Sequence, residues 1–247
     1  MNQSREEAPV ICKRRDNGWE IIYQRNHALL AAEMLVDWPE DKRPEPWFQL
    51  LNACSQHDHG WRENEKDPLL NEHGHPMDFL HMTTESSIAM SRRNLRNAEA
   101  QSRWCAVLVA RHLEYLFSFR PEPEALAFSS QTLAQRQGWM AEIALTEDQV
   151  EAMYELLLWA DTLSLLVCCQ PSEFTRSLHL AAQGQQFQAA EVEQGVWTVA
   201  PWPYRVPSVK LDYEVRHLPQ ARFDSAEELR EELCKTGVTM KTLELRR

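Results

Sequence analysis

The sequence predicts a mainly α protein with a small β-sheet, an α+β chain in which a helical core spans residues 24–182. Three observations predict this. Between Asn26 and Cys169 the apolar residues recur at helical spacing or form runs that are apolar on every side of a helix. After Pro171 the pattern changes: Val209, Leu211, Tyr213 and Val215 alternate with Lys210, Asp212, Glu214 and Arg216, the period of a half-buried strand. Near the start, Asn17-Gly18 stands between two strand-like runs and signals a tight hairpin turn. The reading is one domain over residues 1–247, with segments 1–23 and 183–247 supplying the sheet.

Taken in order, Val10–Lys13 and Trp19–Tyr23 form the hairpin. Asn26 then caps a helix from His27 to Trp38. This helix is apolar on nearly every side and belongs in the interior, which makes its first-turn His27 notable. Pro44 and Pro46 precede a second helix over 47–58, and Gly60 fits the position just past its end. His57 and Asp58 therefore fall in the last turn, where the unpaired carbonyls favour a cation. Residues 59–81 form a long connection containing His59, His73, His75 and His81, read as a loop lining a site entrance. Helical spacing resumes from Thr84 to Phe119 in two pieces, and the second carries His112 in an apolar run. A helix over 125–143 follows. Thr146-Glu147-Asp148-Gln149 is a capping box that opens a helix from Glu147 to Cys169. Asp161 stands in the middle of that apolar helix, a costly place for a carboxylate without a cation or hydrogen bonds to meet it. Gln183–Gln188 reads as a polar loop, Val196–Val199 as a strand, and Ser225–Glu228 as the cap of a short helix ended by Gly237. Val238–Leu245 is the last strand.

The composition excludes several function classes. Seven glycines in 247 residues leave no Gly-rich phosphate loop. A net charge of −11 argues against a general nucleic-acid binder or an anionic-membrane binder. No run of about 18 apolar residues exists to span a membrane, and Met1–Glu7 lacks the apolar core of a signal peptide. Six scattered cysteines without a C-x-x-C pair suit reduced, buried thiols and a cytoplasmic location.

The residues able to bind a cation come from different helices: His27, then His57-Asp58, then Asp161. This order resembles the HD superfamily of metal-dependent phosphohydrolases. The whole chain is similar to an uncharacterised bacterial HD-like family of unknown function. The stretches carrying that likeness are His57-Asp58-His59-Gly60-Trp61, Gly74-His75-Pro76-Met77-Asp78-Phe79, Arg111-His112, Asp161-Thr162-Leu163-Ser164-Leu165, Pro201-Trp202-Pro203-Tyr204 and Arg216-His217-Leu218-Pro219. The resemblance implies an HD-like helical core and a metal held by His27, His57, Asp58 and Asp161. His112 is the candidate for a further ligand or a proton donor, and Asp58 for orienting a water. The family usually has an acidic residue where His59 stands, so His59 is not taken as a required ligand. Imidazole and carboxylate without thiolate suit Mn, Fe, Zn, Ni or Mg. Trp61, Arg92 and Arg111 are the candidate substrate contacts. Arg92, Arg96 and Arg103 share one helix face, which is either a solvated face or a phosphate clamp. Three functions follow as expectations: a phosphohydrolase or phosphodiesterase acting on a small phosphorylated metabolite or nucleotide, an HD-type di-iron oxygenase, or a non-catalytic ligand-binding or structural protein.

Overall fold

The computed structural model describes residues 10–61, 70–169 and 177–247. The Met1–Glu7 segment, Pro68 of the predicted entrance loop and Pro171 lie outside them. Two strands, β1 (Ile11–Arg15) and β2 (Gly18–Ile22), lead into α1 (Gln24–Val36) and α2 (Trp47–Gln56). Four long helices follow: α3 (Thr84–Gln101), α4 (Arg103–Phe117), α5 (Pro123–Glu142) and α6 (Glu147–Cys168). The rest is β3 (Ser177–Ala182), β4 (Gln185–Glu193), β5 (Val196–Ala200), β6 (Ser208–Leu218), α7 (Ala226–Lys235) and β7 (Val238–Arg246). Among the described residues no helix is long and apolar enough to cross a membrane.

The strands form one seven-stranded sheet in the order β1-β2-β6-β7-β5-β4-β3, antiparallel throughout except for the β5–β7 pair. This corrects the expected fold class. The chain is α+β with a substantial mixed sheet, not a mainly α HD-type fold with a small sheet. Much of the difference lies in Gln183–Gln188, expected as a loop. Gln183 and Gly184 both have positive φ, 53° and 71°, and turn the chain tightly between β3 and β4. In β4 only Phe187 and Ala189 are buried among exposed glutamines, so its alternation is easily taken for a uniformly polar run.

The sheet has a different core on each face. Ile11, Ile22, Leu211, Val215, Leu243 and Leu245 pack against the helical layer α1–α6. Val10, Cys12, Ile21 and Leu218 face the other way, under Leu229 and Leu233 of α7. Strand alternation alone separates the two sets. α6 is the central helix, and it packs against α1, α2, α4 and β3. Its 22 residues give a length of about 33 Å. Trp159 of α6 lies edge-on to Trp38 at 5.1 Å, and the Tyr204 hydroxyl donates to the Met34 carbonyl at 2.7 Å. The first contact ties the segment after α1 to α6, and the second ties the β5–β6 connection to α1.

Two further expectations are corrected. α1 starts at Gln24, ahead of Asn26; the Asn26 side chain accepts from the backbone N–H of Glu214 at 3.2 Å and ties α1 to β6. The described part of the predicted entrance loop runs along β1: the Asp78 carboxylate accepts from the N–H groups of Cys12 and Leu80, each at 3.0 Å. His75 packs on Trp19, on the face away from the helical layer. The loop histidines His73 and His75 thus stand apart from His57.

Candidate metal centre

Five side chains from four helical elements meet in the helical layer. His27 is in the first turn of α1, His57 caps α2, Asp58 follows it, His112 is mid-α4 and Asp161 is mid-α6. His27, His57, His112 and Asp161 are each 5% exposed or less. The Asp58 side chain, at 14%, is the one that reaches solvent. The α2 end is held close to α3. A Cβ on Gly60 would lie 2.6 Å from the Met90 carbonyl oxygen and 2.8 Å from Asn94 Cβ. Asn94 also donates its side-chain amide to the His57 carbonyl. The glycine is needed for this close approach rather than for a left-handed helix end.

The nitrogens converge. His27 Nε2 is 2.8 Å from Asp58 Oδ2 and 3.8 Å from Asp161 Oδ1. His57 Nε2 is 3.1 Å from Asp161 Oδ1 and 3.8 Å from Asp58 Oδ2. One ligand atom each from His27, His57 and Asp161 lies within 4.8 Å of the other two. Around an ion with bonds of about 2.1 Å, donors at right angles are about 3.0 Å apart and opposite donors about 4.2 Å. The observed separations fall largely in that range, and Asp58 closes the group on the solvent side.

The outer hydrogen bonds point the same way. His57 Nδ1 is 2.6 Å from the Cys54 carbonyl, which can only accept, so Nδ1 carries a hydrogen. His27 Nδ1 is 2.9 Å from Ser164 Oγ, and that hydroxyl donates to the Asp161 carbonyl at 2.8 Å, so it accepts from His27. With both Nδ1 hydrogens committed outward, each ring turns Nε2 inward, and in its neutral form that nitrogen offers the lone pair that metal-binding histidines use. The residues present fit a divalent ion with nitrogen and oxygen ligands.

The electrostatics agree. Burial opposes charge on His57, but the carboxylates of Asp58 and Asp161 prevail and hold its pKa well above the ordinary histidine value. Burial likewise acts to raise both carboxylates, and His57 foremost holds Asp58 and Asp161 below the usual range. Without a metal, then, a proton on His57 occupies the electrostatic place of a cation. His112 differs: burial pushes it down to about 4, against the pull of Asp161. Its Nε2 stands 4.0 Å from Asp161 Oδ2.

Of the predicted substrate contacts, Arg92 and Arg111 are not among the side chains that converge here, while Trp61 shares the turn of Asp58, its backbone N–H donating to the Asp58 carbonyl at 3.3 Å. Arg111 forms a two-pronged pair with Glu151 and lies over the Tyr154 ring at 4.3 Å. Arg92 lines a groove of about 600 Å³ with Glu85, Glu124 and Phe128, none of which belongs to the centre. Arg103, on the same side of the sequence pattern, is paired with Glu99 and Glu142. Trp61 is buried, and its indole N–H has no hydrogen-bond partner among the described residues. His59 bonds the Gln56 side chain, outside the cluster. Two residues given no role from sequence complete the site: Ser164, one turn beyond Asp161, and Tyr154, two turns before it on α6. Their spacings of three and seven from Asp161 were the available signal.

A family model described as "Protein of unknown function (DUF3891)" matches residues 10–220. No curated protein and no solved structure matches the chain. Neither result links it to the HD superfamily.

Proposed function

The chain belongs to this family of proteins of unknown function (DUF3891), and from that premise we propose that it is a metal-dependent hydrolase acting on a small phosphoester. The carrying observation is the convergence of His27, His57 and Asp161 within the helical layer, each histidine with its Nδ1 hydrogen committed outward. These three, with Asp58 as the fourth, are the residues that would hold one divalent ion, with Mn, Fe, Zn, Ni or Mg as the chemical class. Such an ion supplies a lowered pKa for a bound water and a charge for a phosphoryl oxygen.

The chain's own groups supply the rest. Asp58 is ionised, reaches solvent, and is placed to orient a water entering from that side. The closed inner wall of Leu, Val and Ala from α1, α4 and α6 excludes bulk water behind it. The phosphoester part of the reading rests on the ligand order, His27, His57-Asp58, Asp161, which resembles that of HD phosphohydrolases; their fold is not carried over. A di-iron oxygenase needs more histidine ligands, and here only His112 stands near, at 4.0 Å from Asp161. The structure therefore favours one ion over two.

Elemental analysis of the purified protein beside His57→Ala tests the centre. The expected result is about one equivalent of a transition metal in the wild type and its loss in the variant. A phosphoester panel assayed with Mn, Mg, Fe and Ni tests the reaction. No metal in either protein after reconstitution removes the centre. A full site without turnover of any phosphoester removes the hydrolase.

A further inference from the structure

The three histidines differ in what meets Nδ1. For His57 it is a carbonyl and for His27 a hydroxyl already donating elsewhere, so both must donate. For His112 it is the Tyr154 hydroxyl, 3.4 Å away. That hydroxyl is buried and makes no other hydrogen bond among the described residues. A buried phenol with a single neighbour satisfies its hydrogen by donating to it. Nδ1 of His112 is then the acceptor, and the ring hydrogen sits on Nε2. Nε2–H faces Asp161 Oδ2, but 4.0 Å is too long for a hydrogen bond. The site therefore holds a donor aimed at the ligand group, with no acceptor in hydrogen-bond reach among the described residues.

We propose that Tyr154 is a positioning residue that fixes His112 in its Nε2–H tautomer, so that His112 is a hydrogen-bond donor into the site and not a third imidazole ligand. Tyr154 is itself held. Its ring carries the Arg111 guanidinium at 4.3 Å, and Glu151 anchors that guanidinium with two hydrogen bonds. Arg111 thus bears on His112 through Tyr154. If the hydrolase reading holds, the Nε2–H group meets an oxyanion of the phosphoester. A neutral imidazole donor does not need to transfer its proton to stabilise developing charge.

The test uses full-length protein with 15N-labelled histidine, and a long-range 1H–15N correlation spectrum that separates protonated from bare ring nitrogens. His112 is assigned from the signals missing in His112→Gln. In the metal-free wild type, His112 should show a protonated Nε2 and a bare Nδ1. Tyr154→Phe keeps the ring and the Arg111 contact and should shift His112 toward the other tautomer. On addition of zinc, the Nε2 signals of His27 and His57 should move while His112 Nε2 keeps its hydrogen. A bare Nε2 on His112 in the wild type, or its loss of that hydrogen on zinc binding, overturns the proposal. Because the metal-free wild type alone decides the tautomer, failure of zinc to bind would count against the metal-dependent hydrolase and leave this result standing. A variant that failed to fold would not spare the proposal.

Discussion

Ser164 does for His27 what the Cys54 carbonyl does for His57. It takes the Nδ1 hydrogen, passes its own to the Asp161 carbonyl, and so ties a ligand on α1 to the helix that carries another ligand. Ser164→Ala keeps the volume close and removes only this tie. Loss of an outer partner of a metal-bound histidine typically costs about 10–100-fold in metal affinity. We expect a loss of that size for Ser164→Ala, and a larger one for His57→Ala, in competition against a chromogenic chelator. Unchanged affinity in Ser164→Ala would mean that the hydroxyl does not orient the ring. At this scale the sequence is informative where a residue is expensive. His27 and Asp161 are legible because a histidine or carboxylate on an apolar helix needs a partner, and His57-Asp58 because the pair ends a helix just before Gly60, where a cation is favoured. Ser164 and Tyr154 did not stand out, because a hydroxyl on a mostly apolar helix is ordinary and its role depends on what lies across the interface. The surroundings of Arg92 and Arg111 are hard to read from sequence for a related reason. An arginine on a helix does not announce its partner, and Arg111 finds Glu151 forty residues further on.

The turn after α2 places the His57-Asp58 pair, and its position depends on how closely it can approach α3. Gly60 allows that approach. Its missing Cβ would lie 2.6 Å from the backbone oxygen of Met90 and 2.9 Å from the backbone N of Asn94, and neither can swing away like a side-chain tip. Gly60→Ala must therefore push the turn off α3, with an expected loss of about 1–3 kcal/mol by chemical denaturation. The same displacement should lower metal affinity, because His57 and Asp58 move with the turn. Full stability in Gly60→Ala would mean that the turn relaxes freely. Long helices were the most legible elements, since α6 declares itself through its capping box and its apolar length. The hairpin of β3 and β4 was the least legible. Its inward face offers two modest apolar residues in β4, Phe187 and Ala189, and its turn, Gln183-Gly184, lacks the usual Asn-Gly signature.

For the whole molecule, the sheet's size could not be read from individual strands, because a seven-strand order is a property of pairing and β5 pairs β7 in parallel across the chain. The coupling of the centre to global stability, by contrast, follows from its titration. In the metal-free protein the folded pKa of His57 is raised above 6.5. Its stabilising contribution is complete below that pH and is lost as pH rises through the raised value. His112 runs the other way: with a folded pKa of about 4 against an ordinary 6.5, its contribution is complete above 6.5 and falls as pH drops toward 4. Asp58 and Asp161, held low, contribute above the ordinary carboxylate value of 3.8 and lose it in stronger acid. From these groups, the metal-free protein is most stable near pH 6.5 and weakens on the alkaline side as His57 gives up its proton. A bound divalent ion cancels that slope: it displaces the His57 proton, so above pH 6.5 neither the folded nor the unfolded His57 holds one. The gap in stability between metal-loaded and chelator-treated protein should therefore widen from about pH 6 to about pH 8, by up to about 1.4 kcal/mol per pH unit for the one proton displaced. For a chain of this size each kcal/mol moves Tm by about 2–4 °C, so thermal melts at three pH values resolve it. A metal-dependent gap that is the same at every pH would mean that the ion does not replace the proton on His57 and that His57 is not a ligand.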